Sequence, residues 1–207
     1  RSTLFPYTTL FRSNQRVIDT GIAREHEDLK DRVSLQYSRN CCGEAETYID
    51  DKKGHGSHVA GTIAATGNNG KGVVGVNWNG GIIALKVFPD RGKGAADSDI
   101  AKALDYLTKL LLKDPSLKVP AVNLSLGGYE PNRPDKNMGT PMWLAYKALD
   151  KLDRTVIVVA AGNEGLEVGR PAPFTDYARS VVQGHYVYPA SYIGIDNLVV
   201  VGAMHVG

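Results

Sequence analysis

Strand-sized apolar runs alternate along this chain with segments whose apolar residues recur at helical spacing, and this alternation limits the fold more than any other feature. Val17 and Ile18 form the first run, closed by the turn residues Asp19-Thr20-Gly21. Residues 73–76, 82–88, 121–126, 155–160 and 197–203 read as further strands. Between them, residues 55–66 carry small apolar side chains after a Gly54-His55-Gly56 turn and read as a tightly packed helix. Ile100, Ala103, Leu104, Leu107, Leu110 and Leu111 fall on one face of a second helix, which begins near Ser98 with Ser98 or Asp97 as its N-cap. Thr140 is suited to cap a third helix with Pro141 at the first position; Leu144, Ala145, Ala148, Leu149 and Leu152 form its apolar face. Several strands are apolar on both faces. The pattern predicts an α/β fold of three layers, a mostly parallel β-sheet with helices on both faces. Residues 22–53, 129–139 and the stretch before Tyr188-Pro189 read as polar loops.

Composition removes several function classes. The chain has 207 residues, enough for one domain with a substantial core. Its 24 Lys and Arg against 22 Asp and Glu give a formal charge of +2, with no basic stripe of the kind that grips nucleic acid. The longest apolar runs, 156–161 and 198–201, are far shorter than the roughly 20 residues of a membrane-spanning helix. Cys41 and Cys42 are adjacent, which disfavours a disulfide between them, and no Cys-x-x-Cys spacing occurs; they read as free thiols in a loop. Residues 1–13 have neither strand nor helix period. Their portion 3–13 matches the in-frame translation of a widely used short-read sequencing adapter, and residues 1–13 are expected to be an artefact rather than native sequence.

Three residues collect at element ends, where open α/β sheets build their sites: Asp19 after a strand, His55 at a helix start and Asn163 in a glycine loop after a strand. A carboxylate paired with a histidine fixes the imidazole tautomer and stabilises the imidazolium, which is the base half of a nucleophilic triad. An amide on a glycine loop suits an oxyanion. Other readings of the same residues stay open. Asp19 also suits a turn aspartate, His55 and His58 suit structural helix-start histidines, and Asp19, His55 and His58 together suit a metal hydrolase site.

Four motifs in order resemble the subtilisin-like serine proteases: Val17-Ile18-Asp19-Thr20-Gly21, Gly54-His55-Gly56-Ser57-His58-Val59-Ala60-Gly61-Thr62, Val122-Asn123-Leu124-Ser125-Leu126-Gly127-Gly128 and Ala160-Ala161-Gly162-Asn163-Glu164-Gly165. Ser57 stands where the family usually has Thr. The resemblance covers residues 14–207, read as one partial peptidase domain. It implies that Asp19 orients the imidazole, that His55 is general base and then general acid, and that Asn163 donates to the oxyanion. It gives His58 a structural role. It implies that Ser125, Leu126 and Gly127, with Gly92, Lys93 and Gly94, pair their backbone with an extended polypeptide substrate. Ala160, Ala161 and Gly162 would wall the pocket beside the cut bond.

The family's nucleophile lies in a Gly-Thr-Ser-Met-Ala type motif, and the sequence contains none. The resemblance therefore implies a C-terminally truncated domain whose attacking serine lies beyond Gly207, with little peptidase activity in these 207 residues alone. A subtilisin-fold protein that binds peptides without cutting them is the alternative. The resemblance further implies a calcium site from the side chains of Asp28 and Asn69 and the carbonyls of Gly67, Lys71 and Val73. It implies no organic cofactor, a monomer, secretion and a pro-segment in the precursor.

Overall fold

The computed structural model describes residues 14–92, 94–173, 175 and 181–203. In chain order the elements are β1 (Asn14–Asp19), β2 (Arg39–Asn40), α1 (His55–Ala64), β3 (Gly81–Lys86), α2 (Asp97–Lys113) and β4 (Ala121–Leu124). They continue with β5 (Gly128–Glu130), α3 (Pro134–Asn137), α4 (Pro141–Asp150), β6 (Val156–Ala160), β7 (Tyr186–Tyr188) and β8 (Leu198–Val201). Six strands form one parallel sheet in the order β2-β3-β1-β4-β6-β8. β5 and β7 make a separate antiparallel pair. The α/β expectation, with a mostly parallel sheet between helices, agrees with this architecture.

Register sorts the side chains. Val17 lies beside Ala84 and Asn123, while Ile18 lies beside Leu85. Residues alternate between faces along each strand, so Val17, Ile82 and Ala84 face one way, where they pack with Ala60 and Ala64 of α1. Ile18, Ile83, Leu85, Val122, Leu124, Ile157 and Val159 face the other way, onto Leu104, Leu107 and Leu111 of α2 and Tyr146 and Leu149 of α4. Each large aliphatic side chain buried there contributes about 1.5–3 kcal/mol. On the α1 side, β6 and β8 leave Val156, Val199 and Val201 exposed.

The contact face of α1 is made of small residues. Gly56, Ala60 and Ala64 recur every fourth position and are all buried. A β-carbon on Gly56 would lie 2.3 Å from the carbonyl oxygen of Gly21. The helix backbone thereby reaches the end of β1.

Several expectations are corrected. Residues 73–76 form no strand. Their backbone instead closes on the end of α1, with Gly75, Val76 and Asn77 N–H groups donating to Ala65, Thr62 and Ile63 carbonyls. Those donors are no longer free for a sheet. α2 begins one residue early, and its N-cap is Ala96 with no side-chain bond; Asp97 and Asp99 occupy the first turn, where their charge suits the helix dipole. Three segments read as loops carry short elements: β2, β5 with α3, and β7. Thr140 does cap α4, accepting the Trp143 N–H at 3.3 Å.

Strand order reverses at β1: β3 and β2 lie to one side, and β4, β6 and β8 lie to the other. In such sheets the crevice beyond the carboxyl ends of the strands, at the reversal, receives ligands. Asp19 ends β1 at that point, and Ser125 follows β4 beside it.

The far half of the sheet is tied by Asp150, whose buried carboxylate accepts the Asn197 N–H at 2.7 Å and pairs with Lys147 at 2.5 Å. Burial pushes this carboxyl up, but Lys147 and the Asn197 N–H outweigh it and hold it below its ordinary value. A lowered carboxyl stabilises the fold above the unfolded value near pH 4 and loses that contribution as pH falls through the folded value. Asp150→Asn should cost about 2 kcal/mol at neutral pH. The gap from wild type should close in acid, as read by urea unfolding across pH.

Candidate active site

The segment that ends β1 and the segment that starts α1 meet at two side chains. Asp19 is buried, and its Oδ1 accepts both the Thr20 N–H and the His55 Nδ1–H, each at 2.7 Å. A carboxylate at Nδ1 assigns the proton to that nitrogen and leaves Nε2 as the free acceptor. The His55 side chain is 54% exposed against 1% for Asp19, so the imidazole bridges a buried charge and open solvent. Asp19 Oδ2 is buried without a hydrogen-bond partner among the described residues.

A second buried charge braces the end of β1. Lys86 pairs in register with Asp19, is fully buried, and donates from Nζ to the Thr20 carbonyl at 2.6 Å and to Asp90 Oδ1 at 3.0 Å. The Tyr48 hydroxyl donates to Asp90 Oδ2 at 2.6 Å. That bond, with burial, pushes the Tyr48 hydroxyl up to about 12. Burying this amine is tolerable because a carboxylate and a carbonyl oxygen both accept from it.

The binding segments predicted from sequence follow the carboxyl ends of β3, β4 and β6. Ser125 Oγ accepts the Asn123 amide N–H at 2.9 Å. Gly94, Leu126 and Gly127 line one cavity of about 250 Å³, together with Ile100, Tyr146 and Tyr192. Gly92 is tied to the approach of α1 through Lys53, whose Nζ donates to its carbonyl at 3.0 Å. Lys93 lies outside the described residues. Ala160 ends β6, and the Ala161 N–H donates to the Val201 carbonyl at 2.9 Å. Gly162 has φ +95°, a left-handed backbone that favours glycine, and a β-carbon there would lie 2.9 Å from Glu164 Oε2. Asn163 is exposed on this loop. Its N–H and the Tyr129 hydroxyl both donate to Glu164 Oε2, at 2.7 and 2.6 Å. Burial and the Glu164 carboxylate push the Tyr129 hydroxyl well up.

Of the residues considered for calcium, Asp28, Asn69, Lys71 and Val73 meet, but as hydrogen-bond partners, while a β-carbon on Gly67 would lie against Val74 and Trp78. The Asn69 amide N–H donates to Asp28 Oδ1 at 2.7 Å, and the Val73 N–H donates to Asp28 Oδ2 at 3.1 Å. Asn69 Oδ1 accepts the Lys71 N–H at 3.1 Å. In type these oxygens fit calcium, and a carboxylate keeps spare lone pairs beyond two such bonds. Ligation requires the Asn69 oxygen to turn towards Asp28. His58 is exposed and lines the same surface depression as His26 and Asp28. Among the described residues no three of His, Cys, Asp or Glu are placed to hold a metal. Cys41 is buried and Cys42 half-buried, both as free thiols.

Sequence reasoning missed Lys86 and Asp51. Lys86 lies inside the run 82–88, which reads as an apolar strand. Asp51 sits in a polar stretch, and its faint signal is a carboxylate just ahead of a helix start that has no cap of its own.

The profile of the subtilase family matches residues 16–206. The chain is 34% identical to Subtilisin DY of Bacillus licheniformis over 190 residues, covering 91% of this chain and 55% of that protein. It is 39% identical over 112 residues to a cell wall-associated protease of Bacillus subtilis, covering 54% of this chain and 12% of that one. Among solved structures, Sphericase matches with a TM-score of 0.68 and 26% identity over 93% of this chain and 56% of its own. An S41 psychrophilic protease matches with a TM-score of 0.68 and 28% identity over 90% of this chain and 52% of its own. The chain thus spans about half the length of Subtilisin DY and of both structures. No described helix is long and apolar enough to cross a membrane.

The closeness of α1 to β1 yields a direct test. Gly56→Ala places a methyl against the Gly21 carbonyl and must push the helix away. The expected cost is about 1–3 kcal/mol. Loss of the His55–Asp19 contact should accompany it, read as loss of the Nδ1 proton resonance.

Proposed function

Because the chain belongs to the subtilase family, we propose that it carries the base and oxyanion parts of a serine-type endopeptidase acting on extended polypeptides. The observation that supports this best is the 2.7 Å contact between the buried Asp19 carboxylate and His55 Nδ1 at the strand-order reversal, with Nε2 facing outward. On this reading Nε2 takes the proton of an attacking serine hydroxyl. The serine oxygen bonds to the scissile carbonyl carbon, and the charge that develops on the carbonyl oxygen meets the Asn163 amide. The imidazolium, stabilised by Asp19, then gives its proton to the departing amine, and water repeats the sequence on the acyl-enzyme. No residue of the 207 is assigned as that serine.

Substrate is held as an added strand between residues 125–127 and residues 92–94, with Ala160, Ala161 and Gly162 along the pocket beside the cut bond. The name of the cell wall-associated relative supports action outside the cell; a monomeric state and a pro-segment in the precursor complete the proposal. Calcium has a structural role in this proposal, held by the side chains of Asp28 and Asn69 and the carbonyls of Gly67, Lys71 and Val73.

The reading frame continued past Gly207 should encode a Gly-Thr-Ser-Met-Ala type motif, and the extended protein should hydrolyse peptides. In a subtilisin, removing the side-chain oxyanion donor costs about a hundred- to a thousand-fold in turnover, and Asn163→Leu should do the same here. His55→Ala should cost about 10⁴-fold or more in turnover. An intact frame with another residue at the serine, and peptide binding without hydrolysis, would replace this reading with a peptide-binding one. For calcium, an ion at about a hundredfold over its Kd adds about 2.7 kcal/mol. Equal unfolding midpoints with calcium and with chelator would contradict the site.

A further inference from the structure

The helix that carries His55 begins without the usual supports. Its N-cap is Gly54, no side chain of the cap residue bonds to it, and its first turn holds no acidic residue. The first N–H groups of a helix need acceptors from elsewhere. Here one carboxylate outside the helix accepts two of them, and the Thr20 hydroxyl that it holds accepts a third.

Asp51 Oδ1 accepts the Gly54 N–H at 2.8 Å, the Lys53 N–H at 3.0 Å and the Thr20 hydroxyl at 2.9 Å. Its Oδ2 accepts the Ser57 N–H at 2.9 Å and the Ser57 hydroxyl at 2.6 Å. The relay extends one bond further on each side. Thr20 Oγ1 accepts the Gly56 N–H at 2.8 Å, and Ser57 Oγ accepts the Ala23 N–H at 2.9 Å. The anchored residues bracket the pair: Thr20 follows Asp19, and Gly54, Gly56 and Ser57 surround His55. Bonds to an ionised acceptor are roughly twice as strong as neutral ones. Burial pushes the Asp51 carboxyl up, but the bonds from Ser57, Gly54 and Thr20 outweigh it and hold it below its ordinary value. The group is therefore charged at neutral pH, at the helix end where negative charge is favoured.

Among the described residues the exposed imidazole of His55 has one side-chain hydrogen-bond partner, Asp19. Its aim therefore depends on the backbone of residues 54–57. Misplacing a reacting group by 1 Å costs about 10²-fold in rate. We infer that Asp51 is a positioning residue, one carboxylate that locks the end of β1 to the start of α1 and so sets the Asp19–His55 geometry. This rests on the proposed serine-peptidase reading for its consequence in catalysis, but the geometry it controls is measurable without any cleavage.

The test is proton NMR of the 207-residue chain, following the downfield resonance of the His55 Nδ1 proton, assigned by its absence in His55→Gln. Asp51→Asn should reduce that resonance at least tenfold through exchange, while the thermal midpoint shows the bulk of the fold intact. Thr20→Val, which removes the hydroxyl relay, should weaken it, and Thr20→Ser should restore it. Asp51→Asn with the resonance at full intensity and unchanged position, and only a lower midpoint, would make Asp51 a plain helix cap and overturn the inference. If Asp51→Asn does not fold, the Thr20→Val and Thr20→Ser pair decides: equal resonances in both overturn it. In the extended enzyme the same substitution should lower kcat with KM unchanged. Failure of the extended enzyme to cleave peptides would sink the peptidase reading and leave the resonance experiment standing.

Discussion

A helix approaches a strand end only as closely as its facing side chains allow, and the contact of α1 with β1 is made by Gly56, Ala60 and Ala64. The Asp19–His55 bond depends on that closeness. Larger residues at these positions would hold the helix off by the width of a side chain, and His55 would face solvent without a partner. Packing and chemistry thus share one interface: the small apolar stripe that buries α1 also sets the reach of the imidazole.

The sheet supplies the place for this contact. Parallel pairing directs the carboxyl ends of β3, β1, β4 and β6 to the same edge. Lys86, Asp19, Ser125 and Asn163 follow from that edge in spatial order. Burial on both faces in the centre fixes register, because a slip by one residue would exchange the side chains packed on α1 with those packed on α2 and α4. The rigidity of the centre is what the proposed chemistry needs. Loop residues such as Asn163 then gain precision from their own short clasp, the Glu164 carboxylate that holds both the Asn163 N–H and the Tyr129 hydroxyl.

Much of this was legible in the sequence, for physical reasons. The central strands are two-sided apolar runs, and α2 and α4 have one apolar face each; both patterns follow directly from burial. Asp19 and His55 stand at element ends within glycine turns. What stayed hidden depends on partners distant in the chain. Residues 73–76 have the branched composition of a strand, yet their N–H groups cap the end of α1. β2, β5 and β7 are two or three residues long, too short for a period, and exist because a neighbour supplies their bonds. Asp51 is one acid among several in a polar loop until the structure brings Thr20, Gly54 and Ser57 around it.

The most direct single measurement is of the ¹⁵N shifts of the His55 ring at a pH where the imidazole is neutral. The expected result is a protonated Nδ1 and an unprotonated Nε2, the tautomer that an ionised Asp19 at 2.7 Å imposes. A proton on Nε2, with Nδ1 bare, would contradict the geometry on which the proposed chemistry rests.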